Sequence, residues 1–312
     1  MTFRSLLMAI LLFATNTLAT PNIVVSIKPI HSIVSSLTQG ITEPKLLLTA
    51  NQSPEHAYLK PSQLSLLNQA DLTIFIHPIF ESGLKKAMDN LSANKKFIIG
   101  NIKNIFLIHN KEDEHEGEEH EGEEQESEEH ESEEQEHSEH QEATNYHLWL
   151  DVNNMQIFAK KLIEKLIKID PNNQSNYTTN LNKFNKDLNK LKQDINQKLS
   201  VYKSKVIVSY SNTFDYFTNA NQLKKSVNIT SYHGERLSIF KMLKARKIMK
   251  NTQTKCLLAT TEVPKKRINS LIEDLNINSE NIDIIGFDIA QGTKHYFKLM
   301  RNITNKTIQC LK

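Results

Sequence analysis

The sequence predicts an α/β protein of two lobes, each with a parallel sheet flanked by helices, bridged by one long helix. Short apolar runs alternate with helical patterns on both sides of one long amphipathic segment. That alternation is typical of parallel sheets. A length of 312 residues allows two domains with full cores.

The N-terminal residues 1–19 predict a secretory signal peptide, cleaved near Ala19. Arg4 supplies a positive start, residues 6–13 an apolar core too short to span a membrane, and residues 17–19 a small-residue exit. No other run reaches about 18 apolar residues. We therefore expect an exported, soluble mature protein.

The first lobe is predicted to cover residues 20–170. Four apolar runs are strand candidates: 23–27, 46–49, 72–76 and 97–99. Helices are predicted from apolar spacing up to Gly40, at 61–69 with Pro61 in its first turn, and after Asp151.

The bridging helix is predicted at residues 171–202. Its apolar residues recur every three to four positions and form one narrow stripe: Tyr177, Leu181, Phe184, Leu188, Leu191, Ile195 and Leu199. A helix with one narrow buried seam suits a strut lying against two lobes, with limited closure between them.

The second lobe is predicted to cover residues 203–312. Its strand candidates are 206–208, 227–229, 256–259 and 282–285, with helical patterns after each. Two such halves leave a cleft between them, and ligands of these sheets sit beyond the carboxyl ends of the strands. Cys256 and Cys310 are expected to pair in an oxidising compartment, the alternative being two reduced buried thiols.

An acidic, histidine-rich run interrupts the first lobe. Between Glu112 and Glu142 it has no Lys or Arg and 18 of the chain's 36 acidic residues. So little apolar surface predicts a disordered loop, at 110–145. Either it collects divalent metal ions on carboxylate and imidazole, or it is a solubilising linker. The run contains five histidines: His115, His120, His130, His137 and His140.

Other function classes find little support. Without the acidic run the body is near +20, but its lysines are dispersed rather than clustered with aromatics, which argues against nucleic-acid binding. No G-x-G, G-x-x-x-x-G-K, H-E-x-x-H or G-x-S-x-G motif is present. We therefore expect no enzyme, although a metallohydrolase or a metal-stabilised surface adhesin stays open.

Two blocks of residues that follow predicted strands or the acidic loop resemble motifs of a known protein family. Residues 55–62, Glu-His-Ala-Tyr-Leu-Lys-Pro-Ser, and residues 147–150, His-Leu-Trp-Leu after the acidic loop, resemble the two metal-ligand blocks of the metal-binding solute-binding proteins of ABC importers. The match covers essentially the whole mature chain and is strongest to the zinc-uptake members. It also implies the Cys256–Cys310 disulfide.

The resemblance implies that this chain captures Zn(II) in the interlobe cleft in the periplasm, as a monomer, and delivers it to a permease and ATPase at the inner membrane. His56, His147, Glu55 and Asp288 are the implied ligands. Ser211 stands where the family has a third His, and a hydroxyl is a poor zinc ligand.

The Ser211 substitution leaves three alternatives. His233 or a loop His replaces the lost nitrogen, two His with two carboxylates favour Mn(II) or Fe, or affinity is reduced. We favour a working zinc site with a substituted ligand. We also expect the loop to collect ions weakly and to speed capture.

Overall fold

The structure, a computed structural model, describes residues 20–49, 52–110, 143–230 and 237–312. The predicted signal peptide, the five loop histidines and His233 lie outside these ranges. Over the described ranges, no helix has the length and apolar character needed to cross a membrane.

The first lobe is built on a parallel sheet in the order β2-β1-β3-β4. Its strands are β1 (Ile23–Val25), β2 (Lys45–Leu46), β3 (Leu72–Phe75) and β4 (Lys96–Ile98). Helices α1 (Lys28–Leu37), α2 (Pro61–Gln69) and α3 (Lys85–Asp89) connect them. The central strands β1 and β3 are buried along their whole length, as their continuous apolar sequence predicts.

A short antiparallel pair of strands flanks the acidic run in the sequence. Strand β5 (Ile108–Asn110) pairs with β6 (Ala143–Asn145). Helix α4 (Val152–Ile169) follows, and the carboxylate of Asp151 caps it by accepting a hydrogen bond from the Asn153 amide at 2.7 Å. The acidic run therefore leaves and rejoins the first lobe at one point, close to the start of α4.

The second lobe repeats the parallel arrangement in the order β10-β9-β7-β8. Its strands are β7 (Ile207–Ser209), β8 (Lys225–Asn228), β9 (Cys256–Thr260) and β10 (Asn278–Ile282), and its helices are α6 (Asp215–Ala220), α7 (Ile239–Asn251), α8 (Lys265–Ile272) and α9 (His295–Leu311). A disulfide joins Cys256 on β9 to Cys310 on α9, so the expected pairing is confirmed.

Strand β10 lies earlier in the chain than the apolar run at 282–285 predicts. Its residues pair one for one with β9, from Asn278 opposite Cys256 to Ile282 opposite Thr260. Most of this edge strand is only partly buried, so it needs no apolar sequence. Asp283 ends the strand because its carboxylate accepts backbone hydrogen bonds from residues 285–287 at 2.6–2.9 Å. The residue at the carboxyl end of this strand is therefore Asp283, not Asp288.

The predicted bridging helix is α5 (Gln174–Leu199), extended by a single 3₁₀ turn at each end. Its buried stripe follows the predicted one, with Leu181 only partly buried. It packs on α1 and α4 of the first lobe and on α9 of the second. The predicted fold of two α/β lobes bridged by one long helix is confirmed.

Hydrogen bonds also tie the lobes together. The Trp149 indole donates to Ile284 O at 2.8 Å, and Tyr296 on α9 donates to Trp149 O at 2.9 Å. Lys28 Nζ donates to Phe287 O at 2.8 Å. One apolar core runs through these contacts from the first lobe into the second.

Candidate metal centre

The loop carrying Glu55 and His56 is fixed to the first lobe by side-chain hydrogen bonds. Gln63 on α2 accepts from the Lys60 amide at 2.8 Å and donates to Leu47 O at 2.5 Å. Ser82 Oγ donates to Glu55 O at 2.8 Å. A Cβ at Gly83 would lie 2.0 Å from Ala57 O, so this close approach needs glycine. These contacts set the position of the Glu55 backbone.

His147 is held by Asn145, two residues earlier. Asn145 Oδ1 accepts from both the His147 amide, at 3.0 Å, and His147 Nδ1, at 2.8 Å. The Asn145 amide nitrogen donates to Asn212 O at 2.7 Å, which fixes its orientation. Because Oδ1 can only accept, Nδ1 carries the proton and Nε2 of the neutral ring carries the lone pair that a metal ion requires.

Glu55 and His147 face each other. The distance from His147 Nε2 to Glu55 Oε1 is 3.7 Å. Two ligands of one tetrahedral zinc, each about 2.0–2.1 Å from the ion, lie roughly 3.3 Å apart, so only a small shift separates this pair from a ligating geometry. Burial, with a contribution from the negative charge of Glu262, raises the pKa of Glu55 to about 7.

Both lobes line the small cavity beside this pair. From the first lobe come residues 53–55, Phe80 and His147, and from the second come residues 260–262, 283–285 and Phe287. The cavity volume of about 20 Å³ admits one water-sized body. Phe80 packs edge-on against the His147 ring, with centroids 5.1 Å apart, and keeps that side of the imidazole apolar.

The other predicted site residues lie away from the cavity wall. His56 and Asp288 are exposed. Ser211 is buried, with its hydroxyl 2.9 Å from that of Thr213. In the part of the chain that the structure describes, no three His, Cys, Asp or Glu residues already stand together as a metal-binding group. The structure thus brings together Glu55 and His147 of the predicted set.

Three polar residues of the site were missed from the sequence: Asn145, Glu262 and Asp283. Asn145 lies in the predicted disordered loop, so nothing in the sequence indicated its hydrogen bond to His147. Glu262 and Asp283 each follow a strand of the second lobe within two residues. Polar residues at strand ends are the signal that could have found these two, and for Asp283 this also required the correct position of β10.

Comparison with known proteins agrees with this architecture. The family model described as "Zinc-uptake complex component A periplasmic" matches residues 23–310. A curated relative, the high-affinity zinc uptake system protein ZnuA of Brucella abortus, is 29% identical over 305 residues, covering 93% of this chain and 91% of the relative. The protein of the same name from Haemophilus ducreyi is 29% identical and covers 99% of both chains.

Solved structures share the fold at low identity. A crystal structure of ZnuA is 17% identical, with a TM-score of 0.73, over 94% of this chain and 100% of the other. The solute-binding protein FpvC of Pseudomonas aeruginosa, in complex with Ni²⁺, is 14% identical, with a TM-score of 0.74, over 94% and 97%. FpvC was also solved with Mn²⁺. The resemblance noted in the sequence is confirmed: the chain belongs to the family of periplasmic zinc-uptake components, ZnuA, whose members are metal-binding transport components and not enzymes.

Proposed function

We propose that this chain is the periplasmic solute-binding component of an ABC importer, which captures Zn(II) between its lobes and delivers it to a membrane permease and its ATPase. The observation that carries the proposal is the pair formed by His147 Nε2 and Glu55 Oε1, 3.7 Å apart beside a cavity of one-ion size. Family membership supports the transport role.

The proposed ligands are Glu55 and His147 on the cavity wall, joined by His56 and Asp288 when the ion is bound. His56 follows Glu55 directly. Asp288 lies in a segment between Gly286 and Gly292, both with positive φ. Capture therefore requires local movement of residues 52–58 and 286–292. The hydrogen bonds between the lobes and the strut α5 favour such local closure over a wide hinge.

The acidic run has an auxiliary role in this proposal. Strand β6, where the run rejoins the fold, ends at Asn145, the residue that holds His147. Ions attracted by 18 acidic residues and the five loop histidines are thus delivered beside the cavity. The run should change the capture rate more than the affinity of the cleft. We also propose that the protein is a monomer. Its first lobe ends at residue 170, its linking helix covers residues 171–202, and its second lobe begins at residue 203.

A second candidate cargo is Mn(II). The cavity wall has one imidazole, on His147, but three carboxylates, on Glu55, Glu262 and Asp283. Oxygen-rich sites suit harder ions than zinc. The wall thus supports a manganese-binding member of the same family as the alternative to a zinc-binding one.

A competition titration of the full chain against a chelator of nanomolar affinity tests the proposal, because weak loop sites do not compete at that level. We expect about one tight zinc per chain, bound more tightly than manganese, and a loss of at least about a hundredfold in affinity in the double variant His56→Ala and His147→Ala. His109→Ala is the matched control, since His109 contacts Thr144 on the β5–β6 pair and not the cavity.

Two results would contradict the proposal. Tight zinc binding that survives the double variant but disappears on deletion of residues 112–142 would place the cargo on the acidic run. If the chain bound manganese more tightly than zinc, the proposed cargo would be wrong, although the proposed binding site would still stand.

A further inference from the structure

The second lobe presents a different residue to the cavity from the one that the family resemblance indicates. Ser211, at the position of the family's third His, is buried, and its hydroxyl lies 2.9 Å from that of Thr213. The cavity wall on this side comes instead from the end of β9, with Thr260, Thr261 and Glu262, and from residues 283–285 and 287 after β10. The Asp283 carboxylate already accepts three backbone hydrogen bonds, so Glu262 is the acidic residue of this wall to consider as a ligand.

The turn after β9 is held in place. The Asn281 side chain on β10 donates to Thr260 O at 3.0 Å and to Val263 O at 2.9 Å. The Val263 amide closes the turn on Thr260 O at 3.1 Å. These bonds fix the backbone of the turn that carries Glu262.

Two carboxylates from opposite lobes then share one small cavity. Glu55 of the first lobe and Glu262 of the second both line it. Like charges facing each other are unfavourable in the metal-free protein, and a divalent cation between them converts the repulsion into attraction. This arrangement favours a positively charged occupant.

Thr260 supplies an independent indication of an occupant. Its side chain is 3% exposed and lines the cavity, and Oγ1 has no hydrogen-bond partner among the residues that the structure describes. Leaving a buried hydroxyl without a partner costs about 1–3 kcal/mol. Thr260 lies on the same face of β9 as Cys256 and Leu258, which belong to the core shared by both lobes.

From these contacts the geometry points to Glu262 as a further second-lobe ligand for the captured divalent ion, beside Asp288 and in place of the missing imidazole, with the Thr260 hydroxyl hydrogen-bonded to a ligating oxygen. This assignment rests on the proposed function and deepens it. The ion sits between His147 and Glu55 of one lobe and Glu262 of the other. Ion binding thereby links the lobes.

The test is a competition titration with zinc on the full chain, comparing Glu262→Gln with wild type. We expect an affinity loss of at least about tenfold, since a neutral amide replaces a charged ligand. Glu273→Gln is the matched control, because Glu273 is exposed on the same lobe outside the cavity, and it should leave the affinity unchanged.

Thr260 provides a second readout that separates ligation from folding. Thr260→Val removes a hydroxyl that has no partner within the described ranges, so we expect the metal-free protein to be as stable as wild type or more stable, while zinc affinity falls by several-fold. Thr260→Ser keeps the hydroxyl and should retain wild-type affinity.

The outcomes are distinguishable. If His147→Ala loses zinc while Glu262→Gln binds within twofold of wild type, the assignment of Glu262 is overturned and the proposed function stands. If His147→Ala also binds like wild type, the proposed function itself fails. An equal loss in Glu273→Gln would attribute the effect to overall charge and would also overturn the assignment.

Discussion

Glu81 should make the stability of this protein depend on pH. Its side chain is fully buried, and Oε2 accepts hydrogen bonds from the amides of Ile76, at 2.8 Å, and His77, at 3.3 Å. Burial raises its pKa from 4.5 to about 8, against the opposing effect of these hydrogen bonds. The carboxyl caps the chain after β3, just before the Ser82–Gly83 contact that positions Glu55.

The sign follows from proton binding. Between about pH 4.5 and pH 8 the folded protein keeps a proton on Glu81 that the unfolded chain has released. Folding stability therefore falls as the pH rises through this window. From pH 5 to pH 8 the titration of Glu81 lowers the free energy of unfolding by roughly 3–4 kcal/mol, at about 1.4 kcal/mol per pH unit.

Urea unfolding of wild type and Glu81→Gln at pH 5 and pH 8 measures this loss. The amide oxygen of Gln can accept the same two backbone bonds but does not titrate. We expect the variant to lack the Glu81 contribution, so that its stability relative to wild type rises by roughly 3–4 kcal/mol between the two pH values. Other titrating groups cancel in the comparison.

Glu164→Gln is the control, because Glu164 is an exposed partner of Lys161. Its relative stability should change little with pH. Equal pH slopes for wild type and Glu81→Gln would show that Glu81 does not hold a proton in the folded protein across this pH range.

Three further predictions concern the supports of the site. Asn145→Ala removes the acceptor for His147 Nδ1, so zinc affinity in a chelator competition should fall by about 10–100-fold, and an unchanged value would contradict the assigned ring orientation. Gly83→Ala places a Cβ 2.0 Å from Ala57 O, so we expect a loss of about 1–3 kcal/mol in urea unfolding together with weaker zinc binding; an unaffected variant would show that the 52–60 loop yields freely. Replacing Cys256 and Cys310 by Ser opens a loop with a sequence separation of 54, which should lower the unfolding free energy by about 4 kcal/mol, whereas a loss below about 1 kcal/mol would count against chain-entropy stabilisation.

The sequence predicted those parts of the fold in which one surface is buried. The stripe on α5 identifies a helix because its apolar residues recur with helical period, and β1 and β3 are recognisable because both faces are apolar. The position of strand β10 was not predicted correctly because an edge strand such as Asn278–Ile282 can be polar. Its pairing partner, not its composition, defines it.

The site was predictable only in part, for a related reason. Glu55 and His147 stand out by residue type and by the blocks around them, and the structure places them face to face. The role of Asn145 depends on its bond to Asn212 in the other lobe, and Glu262 meets Glu55 only in the cavity that both lobes line. Such contacts leave no local spacing in a single sequence.

The most direct test of the account is anomalous diffraction at the zinc absorption edge from crystals of the zinc-loaded full chain. We expect one strong peak about 2.0–2.2 Å from both His147 Nε2 and a Glu55 carboxylate oxygen, in the cavity between the lobes. A strong peak elsewhere, with none beside His147, would contradict it.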